Sequence, residues 1–203
     1  MLYTSAHKKY RSIKERSFKT FLDLFLICTF INDNTLESAT ESNFSSFDYD
    51  DPRIPKALKA YQIAKDSDDL KISELDKSIT EWLKSNDVNP FKTIFFRDKI
   101  ISESNFKAFY KDDGFDRECE YCKIKESEID LLIKRGEIHT KRLGTRGRTM
   151  EVDQRNPNKG YISGNIAICC YWCNNAKTDE FSIEEFRPIA KLIGQTLKNR
   201  LAK

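Results

Sequence analysis

Residues 150–178 read MEVDQRNPNKGYISGNIAICCYWCNNAKT. Met150 to Arg155 and Asn165 to Cys169 read as two strands, and Asn156-Pro-Asn-Lys-Gly160 between them is a dense turn signal. Asn174-Asn-Ala-Lys-Thr178 then begins a short helix. A two-stranded hairpin followed by a short helix is marginal in water on its own, so this stretch needs a staple. Cys170-Tyr-Trp-Cys173 within it and Cys119-Glu-Tyr-Cys122 upstream are matched C-x-x-C knuckles. Two thiolates on each tight turn can close one tetrahedral site, and four soft sulfurs suit zinc. The 47 residues between the pairs exceed the ~15–20 of a compact zinc ribbon. The ion therefore staples a substantial insert. A closed four-thiolate site has no open coordination position, so its zinc is expected to be structural.

Five of the six cysteines lie at or beyond position 119, and no secretory pattern opens the chain. The longest apolar stretch, Phe18 to Ile31, is interrupted by Lys19, Thr20, Asp23 and Thr29, and a bilayer span needs about 20 apolar residues. The expectation is a soluble, intracellular (cytoplasmic) protein with no membrane partner, in which clustered cysteines bind metal rather than pair as disulfides. Cys28 and Cys169 are expected in the core. Cys169 neighbours Cys170 on a strand, so its side chain points the other way. A net charge of +3 and a pI near 8.4 permit nucleic-acid binding without demanding it.

The first 113 residues read as helical, with 33–53 as a loop or linker rich in Asn, Ser and Asp. Residues 1–32 place Phe18, Phe21, Leu22, Leu24 and Phe25 on one apolar face behind a basic run, Lys8 to Arg16. Further helices are expected over Ala57–Lys65, from Ser73 with Leu75, Ile79, Trp82 and Leu83 as the buried stripe, and over Ser102–Lys111. The second of these ends at Asn86 to Pro90, and the third stops at Asp112-Asp113-Gly114. Between the knuckles, Ser127–Arg135 reads as a short helix. At the C-terminus, 182–203 reads as a helix opened by a Ser182/Glu185 capping box and bent or delayed by Pro188. It is expected to pack on the N-terminal helices.

From Lys134 to Lys159 there are eight Lys or Arg against three acids. Arginines and the backbone amides of a glycine-containing loop suit phosphates. Arg146, Arg148 and Arg155 are the candidate nucleic-acid contacts.

Taken in order, Cys119-x-x-Cys122, Val152-Asp153, Gly160-Tyr161, Asn165, Cys170-x-x-Cys173 and Asn174-x-x-Lys177 resemble the HNH, or ββα-metal, nucleases. The resemblance covers about Cys119 to Phe181. It implies that Asp153 and Asn174 hold a catalytic Mg2+ or Mn2+, and that Asn165 braces the loop carrying the general base. The implied activity is hydrolysis of phosphodiester bonds in DNA. With one site per chain, cutting both strands needs two sites, which makes a homodimer a candidate assembly, though no heptad or other dimer signature marks the sequence. A hard divalent cation does prefer carboxylate and amide oxygens. The chain departs from the pattern at Gln154, where the family has histidine. Glutamine cannot hold a proton near neutral pH, so His139, and after it Tyr121 and Tyr161, are the candidate bases.

The expected fold is α+β, mostly helical, with a zinc-stapled ββα-metal module over 114–181. Three functions stay open. They are a metal-dependent endonuclease with a substituted base, a degenerate module that binds nucleic acid without cleaving it, and a structural zinc domain for protein contacts. Asp153, Asn165 and Asn174 favour the first two, and Gln154 favours the second over the first.

Overall fold

Phe18, Phe21, Leu22, Phe25 and Leu26 recur every three or four residues along α1, Ser5–Asp33, and all five are buried. The computed structural model describes residues 5–66, 70–111, 114–138 and 146–203. In them the chain is α+β, mostly helical with one two-stranded sheet. It divides into two compact units, His7–Phe106, and Lys107–Lys203 with Met1–Ala6. Among the described residues no helix is long and apolar enough to cross a membrane.

The His7–Phe106 unit is built on aromatic rings. Phe21 and Phe25 meet Phe44 edge-on, and Phe44 in turn meets Phe91. These contacts join α1 to α2 (Glu41–Ser46) and to α5 (Asn89–Asp98). Stretch 33–53 is therefore more than a linker. Thr40 caps α2 by accepting from the Asn43 amide, and Phe44 and Phe47 are wholly buried. The surrounding Asn, Ser and Asp residues hide these two plugs from a reading of composition. α3 spans Arg53–Asp66, and α4, Leu70–Ser85, opens upstream of Ser73. Leu75 and Trp82 are buried, but Leu83 is exposed and drops out of the expected stripe. Pro90 does not merely end that helix. It sits in the first turn of α5, where its missing N–H costs nothing. The boundary between the units falls inside the next helix, α6 (Glu103–Tyr110), after Phe106. The expected stop of this helix at Asp112-Asp113 lies outside the described residues, as do residues 1–4.

In the second unit, the fully buried Tyr110 donates to the Met150 carbonyl at 2.7 Å. The Arg117 guanidinium lies 4.4 Å over the same ring and pairs with Glu126 at 3.0 Å. α7, Glu126–Lys134, is held at its start by Glu128, which accepts from the Lys125 amide at 2.8 Å. Its Ile129 and Leu132 are buried, whereas Leu131 is exposed.

Strands β1 (Glu151–Gln154) and β2 (Ile166–Cys169) pair antiparallel, with Glu151 opposite Cys169 and Asp153 opposite Ala167. Asn156 and Pro157–Lys159 shape the connecting turn as a single 3-10 turn. α8, Tyr171–Lys177, begins three residues before Asn174, because Cys170 is its N-cap and accepts from the Cys173 amide.

α9, Ile183–Leu201, carries the expected Ser182/Glu185 capping box, and Pro188 does not delay its start. Phe186, Ala190 and Leu197 are buried in one cluster with the four knuckle cysteines, Ile129 and Leu132. Gly194 rests directly on the first knuckle, where a Cβ would lie 2.3 Å from the Cys122 carbonyl oxygen. The helix thus packs within the Lys107–Lys203 unit, on the cluster that holds the four cysteines.

Candidate metal centre and strand face

The four thiols of Cys119, Cys122, Cys170 and Cys173 lie within 4.8 Å of one another and are buried. The first knuckle is a tight hairpin. Glu118 bridges Lys125, the Cys119 amide donates to the Ile124 carbonyl at 2.8 Å, and Lys123 takes a left-handed φ of 61° to close the turn. The Cys122 amide points at the Cys119 sulfur (3.5 Å), as the Cys173 amide points at the Cys170 sulfur (3.4 Å). Amides aimed at sulfur favour thiolate, yet four thiolates this close repel one another. Mutual hydrogen bonding drives the Cys119 thiol pKa down while pushing those of Cys170 and Cys173 up. A divalent cation at the centre removes that conflict, and the donor set fits a structural metal. Cys28 and Cys169 are buried outside this group, as expected.

The knuckle also anchors the sheet. Glu120 donates its amide to the Ile168 carbonyl at 2.8 Å, which sets Tyr121 beside β1. On β1, residues 151 and 153 share a face, and on α8 residues 174 and 177 share a face. The two periods mesh. The Asn174 amide nitrogen donates to the Glu151 carboxylate, and the Lys177 ammonium stands 3.2 Å from Asp153 Oδ2. That same Oδ2 accepts from the Tyr121 hydroxyl at 2.7 Å. Lys177, 1% exposed, also donates to the Gln154 carbonyl at 3.0 Å. Glu151, itself buried, takes both legs of the Arg146 fork, and the Arg146 guanidinium lies 5.1 Å over the Tyr171 ring.

Burial raises the Asp153 carboxyl above the usual carboxylate range, and Tyr121 and Lys177 only partly offset this. Burial, together with the nearby Asp153 charge, pushes the Tyr121 phenol well above its ordinary value. By donating to Oδ2, the phenol holds the Asp153 carboxyl in place.

Asn165 is buried and uses its whole amide on the turn. It donates to the Asn156 and Gly160 carbonyls (2.8 and 2.7 Å) and accepts from the Asn156 amide (2.9 Å). The loop that leaves Gln154 is thereby pinned at both ends. The three candidate arginines differ in surroundings. Arg146 is engaged by Glu151. Arg155 makes a fork-to-fork pair with Glu120 (2.8 and 2.6 Å) and donates to the Gly164 carbonyl. Only Arg148 is exposed. Gln154 and Tyr161 are half-buried. His139 and residues 141–145 of the basic loop lie outside the described residues.

No family model matches the chain, and no curated protein does. A solved structure does. The chain is similar to the rare-cutting HNH restriction endonuclease PacI, reported with a mechanism of DNA perturbation. Identity is 26% over 49% of this chain and 66% of that one, just under two thirds of its length, with a TM-score of 0.41. The likeness brings no residue roles with it.

Three residues of this face have no role assigned from the sequence, namely Glu151, Glu120 and Lys177, the last of which stands in the motif itself. Glu151 had a signal, since it stands two before Asp153 on one strand and so on the same face. Lys177 had one as well, three after Asn174 on one helix. Glu120 meets Arg155 only through the fold, across 35 residues.

Proposed function

We propose that the Lys107–Lys203 unit is an HNH-type, metal-dependent endonuclease hydrolysing phosphodiester bonds in DNA. In this reading zinc fills the four-cysteine site, and Asp153 and Asn174 hold Mg2+ or Mn2+. One observation carries it. A strand face bearing two carboxylates, Glu151 and Asp153, packs against an amide-bearing helix whose first turn is a metal knuckle. These are hard oxygen donors on a stapled scaffold, and they suit a small divalent cation that completes its shell with water and phosphate oxygens. Such an ion, when bound, polarises the scissile phosphate and stabilises the leaving oxygen.

The chain's own residues supply the rest. Tyr121 and Lys177 hold Asp153 in one orientation, and Asn165 fixes the loop beyond Gln154. Arg148 is placed to meet a phosphate, while Arg146 and Arg155 would do so only by releasing Glu151 and Glu120. His139 is the proposed base, since Gln154 cannot take a proton. One such site per chain cuts one strand, so cleavage of both strands calls for a homodimer on the DNA.

A second reading is favoured by Lys177. Its ammonium already neutralises Asp153, which suits a module that binds DNA without cutting it. Supercoiled plasmid incubated with the zinc-loaded full chain separates the two. Open-circular product that requires Mg2+ or Mn2+ supports the nuclease. Intact plasmid with a salt-sensitive gel shift supports the binding module. In the first case His139→Ala is expected to lower nicking about 100-fold or more, the scale of one general base. Adding Gln154→His to that variant is expected to restore activity. No recovery, with metal still bound, would place the base elsewhere.

A further inference from the structure

Asn174 has two chemically opposite ends, and only its oxygen can ligate a cation. Which end faces outward is set by what the other end meets. Here the amide nitrogen meets Glu151, a buried carboxylate that can only accept. A flipped Asn174 would put oxygen against oxygen. Glu151 is in turn fixed by the bidentate fork of Arg146, which leans on the Tyr171 ring in the first turn of the same helix. The contacts close a loop from α8 through Arg146 and β1 back to α8.

We infer that Glu151 is a positioning residue that locks the Asn174 amide with its oxygen outward, so that Arg146–Glu151–Asn174 presets one ligand of the divalent-ion site. This rests on the proposed function. The parallel on the other ligand is direct, since Asp153 has its Oδ2 clamped by Tyr121 and Lys177. Arg146 accordingly serves the site through Glu151 and not as a phosphate clamp. Outer-shell partners of this kind change metal affinity by about 10–100-fold when removed.

The test is a double-mutant cycle read by Mn2+ binding, using electron paramagnetic resonance on the zinc-loaded full chain. Glu151→Gln keeps the shape but offers an amide that no longer dictates which end of Asn174 it meets. The expected result is a loss of about 10–100-fold in Mn2+ affinity in the otherwise natural chain, with less than about 2-fold further loss in an Asn174→Ala background. Equal losses in both backgrounds would mean that Glu151 only supports the fold, and no loss in either would remove its role, so each overturns the inference. If Glu151→Gln fails to retain zinc, Arg146→Lys takes its place in the same cycle. It keeps the charge and gives up the fork, and the same dependence on Asn174 is expected. Absence of any Mn2+ site in the natural chain would overturn the ion-site reading and the inference with it. A Mn2+ site indifferent to Glu151 would overturn the inference alone.

Discussion

Cys170→Ser is expected to strip the four-cysteine site of its metal and unfold the Lys107–Lys203 unit. Cys170 does two things at once. It is one of four buried sulfurs within 4.8 Å of one another, and it is the N-cap from which α8 starts. Structural zinc in small modules binds with an apparent free energy of about 10–16 kcal/mol, and that binding energy is folding energy. The sheet it supports has two strands of four residues each and would not stand alone. Metal analysis should find zinc well below one equivalent, and the near-ultraviolet circular dichroism of Tyr171 and Trp172 should collapse. Cys28→Ser, a buried cysteine of the other unit, should leave the metal content unchanged. Stoichiometric metal and an unchanged melting temperature in Cys170→Ser would contradict the assignment.

Lys177→Met is expected to cost about 3–5 kcal/mol of stability, the usual penalty for leaving a buried charge without its partner. The ammonium is 1% exposed and Asp153 is 14% exposed, so water does little to screen the pair. Methionine matches the length of the lysine stem but cannot answer the Asp153 carboxylate or the Gln154 carbonyl. Adding Asp153→Asn should recover most of the loss, because the two effects share one contact. In the single variant Mn2+ should raise the melting temperature more than in the natural chain, the ion taking over the charge that Lys177 supplied. Urea melts of the three variants measure the cycle. A loss under about 1 kcal/mol for Lys177→Met would mean that the pair behaves as a surface contact.

Much of the module is legible in the chain itself because its determinants are local or chemically unmistakable. Two C-x-x-C pairs bring four thiols together wherever the intervening residues go. Strand, turn and strand follow from Asn156-Pro157 and Gly160 between β-rich runs. Asn165 enters as a brace only through the family resemblance, and in the structure its buried amide meets three partners at the turn.

What escapes the sequence is the choice each charged side chain makes. Arg146 and Arg155 sit in a basic run that suits phosphates, yet carboxylates claim both, Glu151 from the same run and Glu120 from elsewhere in the fold. Lys177 stands in the motif without an assigned role and turns out to be buried. Phe44 and Phe47 show the same limit in the other unit, two rings in a polar stretch whose burial depends on α1 and α5. Local pattern decides element type, whereas long-range pairing decides which polar groups remain for function.

The most direct test of the central claim is nicking of supercoiled plasmid by the full chain and by Asp153→Ala, each confirmed to carry one equivalent of zinc. The account predicts Mg2+- or Mn2+-dependent open-circular product from the natural chain and a loss of about 100-fold or more in the variant. Equal nicking by both, or none by the natural chain with either ion, would contradict it.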